Sequence, residues 1–227
     1  MLTSPIKLSP SDLTFLWDEC PCCFYLKYRH GINRPAAPFP SIFGAIDRLM
    51  KAQFASHPSS DIDPSLPPGI VTVSEKWVES LPFNLPGHDL NCFLRGKIDA
   101  MIGFDNGSFG IVDFKTSVPQ KEHIPFYSRQ LHAYAYALEH PAPNRLSCSP
   151  ISRMGLYVET PHATLAATTG EISFHFRSTW LEVPYDISSF LGFIDKLLTL
   201  LELPSPPPAG EDCGYCQYRQ HARQHGM

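Results

Sequence analysis

Two strand-like runs, Asn91–Phe104 and Phe109–Phe114, flank the turn signal Asp105-Asn106-Gly107-Ser108. A short polar turn with a glycine suited to a left-handed bulge position predicts a β-hairpin. No other feature constrains the fold as tightly, because turn length sets the register and the register decides which side chains share a face. A three-residue loop pairs Phe104 with Ser108, and counting back places Asp99 opposite Asp113. Paired residues point to one face of a sheet. Residues two apart along a strand share that face as well, so Lys115 joins them. Three charged groups are therefore expected on one patch, whereas a two-residue loop would carry Asp99 to the other face.

The rest of the chain supplies helices and a few further strands. Ser9-Pro10-Ser11-Asp12 has the pattern of a helix start, with Ser9 as cap, Pro10 at the first helical position and Asp12 completing a capping box. Pro21 interrupts the segment that follows. Ile42, Phe43, Ile46, Leu49, Met50 and Phe54 have helical spacing and predict a helix over 42–55. Residues 56–69, rich in Ser, Pro and Asp, read as a long loop. A short β-branched strand is expected at Ile70–Val73, with others at Met154–Thr160 and 171–176. One helix is expected over 121–140, carrying Gln130 and Tyr134 at i and i+4 on one side. An amphipathic helix is expected over Asp186–Leu203, followed by a proline-rich linker. Helices around a small mixed sheet define an α/β chain, and a length of 227 residues suits one domain over 1–227.

Two facing carboxylates repel unless a cation lies between them, and hard divalent ions such as Mg²⁺ or Mn²⁺ choose oxygen ligands of this kind. The carbonyl of Phe114, between Asp113 and Lys115, offers a further oxygen. An ion held there can polarise a phosphodiester and lower the pKa of a coordinated water. Lys115 can orient that water or neutralise phosphate charge. Gln130 and Tyr134 can hydrogen-bond the water, Lys115 or a DNA backbone. An Asp-x-Lys triplet by itself also occurs as a plain surface ion pair. The hairpin spacing, Gly96-Lys97-Ile98-Asp99 and the Gln-x-x-x-Tyr helix together favour a site.

The cysteines form a second group. Cys20-x-x-Cys23 and Cys213-x-x-Cys216 are pairs whose four thiolates suit tetrahedral zinc or an iron–sulfur cluster, if the two ends meet in space. Free thiols are the alternative. Cys92 and Cys148 are isolated and read as core or surface residues. His132 lies two residues from Gln130 and is expected to face elsewhere, at the surface or in the core. Phe24, Tyr25, Lys27, Tyr28 and Arg29 could stack on a DNA strand and contact its phosphates, or simply pack with a solvated rim.

At these residues the chain resembles the PD-(D/E)XK nuclease superfamily, in its RecB-like branch, which includes the CRISPR-associated RecB-like exonucleases. Asp99 matches the first acidic position, Asp113 and Lys115 the (D/E)xK pair, and Gln130 and Tyr134 the QxxxY helix. Cys-Pro-x-x-Phe-Tyr-Leu-x-Tyr at 20–28 matches the opening of these proteins. The resemblance implies a restriction-endonuclease-like core and a DNA exonuclease acting with Mg²⁺ or Mn²⁺ in repair, recombination or phage-related processing. It places a metal-binding histidine after a glycine on a helix before the strands. Here Gly44-Ala45-Ile46-Asp47 has Asp47 instead, as a substitute ligand or a solvent-facing charge. It also implies a [4Fe–4S] cluster held by one N-terminal and three C-terminal cysteines. The third C-terminal cysteine is absent, which leaves Cys20, Cys22, Cys23 or a histidine to complete the set.

The bulk composition adds bounds. A net charge of −4 neither supports nor excludes nucleic acid as a partner. The N-terminus lacks a basic region followed by an apolar one, and no apolar run reaches membrane-spanning length, so a cytoplasmic protein is expected. In that compartment seven cysteines argue for thiols or metal ligands over disulfides. No nucleophile elbow or Walker motif is present. The rival readings are a catalytically weak or inactive nuclease-fold module that binds DNA or serves as structure, and a metal-binding scaffold for a partner nuclease.

Overall fold

The computed structural model describes residues 4–36, 40–118, 122, 124–166 and 172–226. The strands are β1 (Ile6–Leu8), β2 (Gly69–Glu79), β3 (Cys92–Phe104), β4 (Phe109–Thr116), β5 (Ile151–Ala166) and β6 (Ile172–Glu182). The helices are α1 (Phe15–Glu19), α2 (Pro21–His30), α3 (Ser41–Phe54), α4 (Ile124–Glu139), α5 (Ile187–Leu201) and α6 (Gly214–Gln224). Among the described residues the strands form one six-stranded mixed sheet in the order β1-β3-β4-β5-β6, with β2 pairing β3 off this path.

The β3–β4 hairpin has the register expected from a three-residue loop: Ala100 faces Val112, and Gly103 faces Phe109. Gly107 adopts φ +82°, and its N–H closes the turn on the Phe104 carbonyl at 2.9 Å. The Asn106 side chain accepts the Ser108 N–H at 3.0 Å. β4 then runs parallel to β5, a pairing that requires a crossover. Helix α4 supplies it, burying Leu131, Ala135 and Leu138 at helical spacing.

Each face of the sheet carries an apolar layer. One joins Ile98, Met101 and Ile111 to Leu131 and Leu138 of α4, Ile194 and Leu198 of α5, and Phe24 of α2. The other joins Ile102, Val112 and Phe114 to Met50 and Phe54 of α3, with Ile62 and Leu66 from the loop that follows α3. That loop is less open than its composition suggests, since it contains a 3₁₀ turn at Ser59–Asp61.

Several elements differ from the sequence expectations. Ser9 makes no side-chain cap, and only a 3₁₀ turn, Pro10–Leu13, forms there. Asp12 is engaged instead by the Tyr28 hydroxyl at 2.6 Å and the Lys27 ammonium at 2.6 Å, stronger partners than a backbone N–H. β2 extends six residues past Val73, through a polar stretch that β3 pairs as far as Glu79. β1 alternates over only three residues, too few to signal a strand, and forms because it pairs with Cys92–Leu94. Phe24 and Tyr25 are buried, so they pack and do not face a nucleic acid. Ile42 and Leu49 stand exposed on α3, whose buried contacts are Met50 and Phe54. The expected helix start at Lys121 and strand start at Glu171 lie outside the described residues. His132 is a core residue: it hydrogen-bonds the Ser128 carbonyl at 2.7 Å and accepts the Asp186 N–H at 2.7 Å. No helix among the described residues is long and apolar enough to cross a membrane.

Candidate active site

Pairing between β3 and β4 stops at Ala100 and Val112. Asp99 and Asp113 therefore stand where the two strands part. Asp99 Oδ2 accepts the Phe114 N–H at 3.1 Å, taking the position that a ladder carbonyl would have filled. Asp113 is 3% exposed. Its Oδ1 accepts from Gln130 Nε2 at 3.1 Å, and its Oδ2 lies 2.5 Å from Lys115 Nζ.

Helix α4 fixes Gln130 and Tyr134 as a pair. Gln130 Nε2 also donates to the Tyr134 hydroxyl at 3.2 Å, and that hydroxyl donates to the Lys97 carbonyl at 3.0 Å. Space for the Tyr134 ring comes from Gly96 of β3: a Cβ there would lie 2.9 Å from Tyr134 Cε1 and 2.8 Å from the Pro10 ring. Among the described residues, Gln130 Oε1 is buried without a hydrogen-bond donor. Phe114 gives its amide to Asp99, while its ring packs against Phe54 and Tyr157.

Asp47 reaches the same place from α3 through a residue that the sequence reading missed. Lys51 Nζ lies 2.7 Å from Asp47 Oδ2 and 2.8 Å from Asp99 Oδ1, with Glu75 Oε1 of β2 at 3.4 Å. The signal was available, because Lys51 follows Asp47 by four residues on one helix face. A cleft of about 440 Å³ opens here, lined by Gly44, Asp47 and Met50 of α3 and by Phe114, Lys115 and Thr116 of β4. A cleft of about 480 Å³ between α2 and α6 has no carboxylate among its lining residues, so the smaller one is the better candidate for phosphodiester chemistry.

The electrostatics match the geometry. Burial pushes the Asp113 carboxyl up to about 6, against the pull of Lys115 and with a further push from the Asp99 charge. Burial works against the Lys115 ammonium, yet the Asp113 carboxylate beside it raises its pKa above the ordinary lysine value. The ammonium also sits 4.8 Å from the centre of the Tyr127 ring. Asp99, Asp113, Asp47 and Gln130 Oε1 offer only oxygens, the donor set that Mg²⁺ or Mn²⁺ prefers.

The four cysteines of the two CxxC pairs come together at the other end of the same core. All four sulfurs lie within 4.8 Å of one another. Cys20–Cys216 and Cys23–Cys213 are 3.7 Å apart, and Cys23–Cys216 is 3.6 Å. Cys20 is the N-cap of α2 and Cys213 that of α6, so two helix N-termini face the sulfurs and favour thiolates. Burial opposes a Cys20 thiolate, but the Gly210 and Cys23 amides point at its sulfur and bring its pKa down to about 6, whereas burial holds the Cys23 and Cys216 thiols above the ordinary value. Arg34 donates to Cys213 at 3.5 Å and Arg219 to Cys216 at 3.0 Å. Cys22 is not one of the four, and Cys92 and Cys148 are buried elsewhere in the core.

Comparison with known proteins agrees with this architecture. The chain is similar to the crystal structure of SSO0001, with 16% identity and a TM-score of 0.52 over 97% of this chain and 87% of that one, a likeness of fold. No curated protein sequence matches the chain. A family model described as the PD-(D/E)XK nuclease superfamily matches residues 67–221, which includes β2 to β6, the acid–lysine group and the QxxxY helix. The mixed sheet flanked by helices is the restriction-endonuclease-like fold, and the chain belongs to the PD-(D/E)XK nuclease superfamily.

Proposed function

We propose that the protein is a deoxyribonuclease that hydrolyses phosphodiester bonds with Mg²⁺ or Mn²⁺. The observation that carries this reading is the buried Asp113, held between Lys115 and Gln130 and next to Asp99 where β3 and β4 part. Asp99, Asp113 and the Phe114 carbonyl are the proposed ligands, with Asp47 as the carboxylate from α3. When bound, a divalent ion supplies Lewis-acid polarisation of the phosphodiester and acidifies a water. Lys115 presents its ammonium to the phosphate oxygens or the attacking water and stabilises charge that develops in the transition state. Gln130 and Tyr134 position Asp113, tying it through the Lys97 carbonyl to β3. Action on strand ends in repair, recombination or phage-related processing follows from the resemblance to RecB-like exonucleases.

For the cysteine site we propose a structural metal ion. Zn–S bonds of about 2.3 Å in a tetrahedron separate sulfurs by about 3.8 Å, close to the 3.6–3.7 Å of three sulfur pairs here, with all four sulfurs within 4.8 Å of one another. A four-iron cluster binds each thiolate through its own iron and holds the sulfurs farther apart. The spacing supports zinc over the cluster that the resemblance implies. Thiolate ligands of either kind suit a reducing, cytoplasmic compartment.

The test is degradation of end-labelled single- and double-stranded DNA with Mn²⁺. Wild type should cleave, and Lys115→Ala should be slower by about 10²–10³-fold, the usual cost of removing one transition-state donor. Absence of metal-dependent cleavage by wild type on every substrate would leave the rival, a non-catalytic DNA-binding or structural module.

A further inference from the structure

Every oxygen of the two central carboxylates faces a hydrogen-bond donor or an ammonium, Asp113 Oδ2 having the Lys115 ion pair and no hydrogen bond. Asp113 holds Gln130 and Lys115, and Asp99 holds the Phe114 amide through Oδ2 and Lys51 through Oδ1. Three of these partners belong to the sheet or to the neighbouring α4 helix. Lys51 alone comes from α3, and it engages Asp47 and Asp99 together. Its side chain is 11% exposed, so the ammonium is enclosed by the acids it neutralises. A monovalent charge on a flexible stem thus sits between the two carboxylates that α3 and β3 bring to the cleft.

We propose that Lys51 is a built-in counter-cation that competes with the divalent ion for Asp47 and Asp99, and that Glu75 receives its ammonium when the ion binds. This rests on the nuclease reading of the site. The geometry gives the exchange a short path. Glu75 Oε1 is already 3.4 Å from Lys51 Nζ, and Glu75 is exposed and shared with Lys97 at 3.0 Å. A small swing of the lysine stem releases Asp99 Oδ1 and Asp47 Oδ2 without leaving the ammonium unpaired. The same residue keeps like charges from pushing α3 away from β3 before an ion arrives. Competition of this kind lowers the apparent affinity for the ion and makes metal loading, with its rearrangement of Lys51, a separable step before catalysis.

The experiment is a Mn²⁺ titration followed by electron paramagnetic resonance of the free ion, with no DNA present. Mn²⁺ selects oxygen ligands and leaves the cysteine site aside. Lys51→Met should bind Mn²⁺ about tenfold more tightly than wild type. Glu75→Gln should weaken binding when Lys51 is present and have less than about a twofold effect in the Lys51→Met background. Equal or weaker binding by Lys51→Met overturns the competition, and a Glu75→Gln effect of equal size in both backgrounds overturns the hand-over. Lys51→Gln, which keeps much of the stem and removes the charge, repeats the test if Lys51→Met melts early. Asp113→Asn serves as the reference. If wild type binds no Mn²⁺, or Asp113→Asn binds as wild type does, the metal reading of the site fails and the role of Lys51 with it. Binding by wild type that Lys51→Met leaves unchanged removes the proposed role of Lys51 alone.

Discussion

Gly96→Ala is a single-methyl test of how helix α4 is seated. The added Cβ would lie 2.8 Å from two Pro10 ring carbons and 2.9 Å from Tyr134 Cε1, where ordinary contact begins at 3.4 Å. The Tyr134 ring must therefore retreat by about half an ångström, since both obstacles are rigid rings. Overpacking of this kind costs about 1–3 kcal/mol. Replacing glycine also narrows the unfolded ensemble, which returns up to about 1 kcal/mol. The clash wins, leaving a net loss of about 1–2 kcal/mol and a melting temperature lower by about 2–8 °C for a chain of this size. The functional cost should exceed the structural one. Retreat of Tyr134 strains the links from the Lys97 carbonyl through the Tyr134 hydroxyl and Gln130 to Asp113, each of them 3.0–3.2 Å long. Thermal melts by circular dichroism and cleavage of end-labelled DNA read the two effects separately. In a Tyr134→Ala background the cost of Gly96→Ala should fall by at least about 0.5 kcal/mol, because one of the two obstacles is gone. A Gly96→Ala protein that melts and cleaves as wild type does would refute this account of how β3 seats α4.

Two further outcomes concern the cysteine site and His88. Cys213→Ser should abolish stoichiometric zinc in elemental analysis and lower the melting temperature, because a structural ion contributes its binding energy to folding; a brown, iron-containing wild-type protein would contradict the zinc assignment. His88 is held by Glu202 at 2.8 Å and Asp195 at 3.0 Å, which raise its pKa above the ordinary 6.5. A raised folded-state pKa gives stability that is fully present below the unfolded value and is lost as pH rises through the folded one. Wild type should therefore lose melting temperature above pH 6.5 relative to His88→Gln, and parallel pH profiles for the two proteins would disprove the contribution.

Much of the site was legible because it depends on local rules. Turn length at Asp105–Gly107 fixed the hairpin register, and i,i+4 spacing put Gln130 and Tyr134 on one helical side. What escaped the sequence reading depends on long-range partners. The alternation of β1 spans only three residues and the second half of β2 has none; both are strands because β3 offers them hydrogen bonds. Ser9 has the right side chain for a cap, but Lys27 and Tyr28, more than a dozen residues away, claim the acid that would complete it. Lys51 obeyed a local rule, since it lies one turn beyond Asp47, yet only the approach of α3 to β3 gives its charge a second carboxylate. The choice of Cys23 over Cys22 rests on helix geometry: Cys20 and Cys23 lie at the N-cap and third position of α2, on the side that faces α6.

The cysteine site has a consequence for the order in which the protein becomes complete. Its halves are separated by 190 residues of sequence, and β2 to β6 are made between them. At about 5–20 residues per second, Cys20 and Cys23 wait roughly 10–40 s for their partners to leave the ribosome. The hairpin and α4, which carry the acid–lysine group, are synthesised well before then. Metal capture by the thiols, as proposed above, is therefore a late event, a clasp closed over a nuclease-fold core that has already been made.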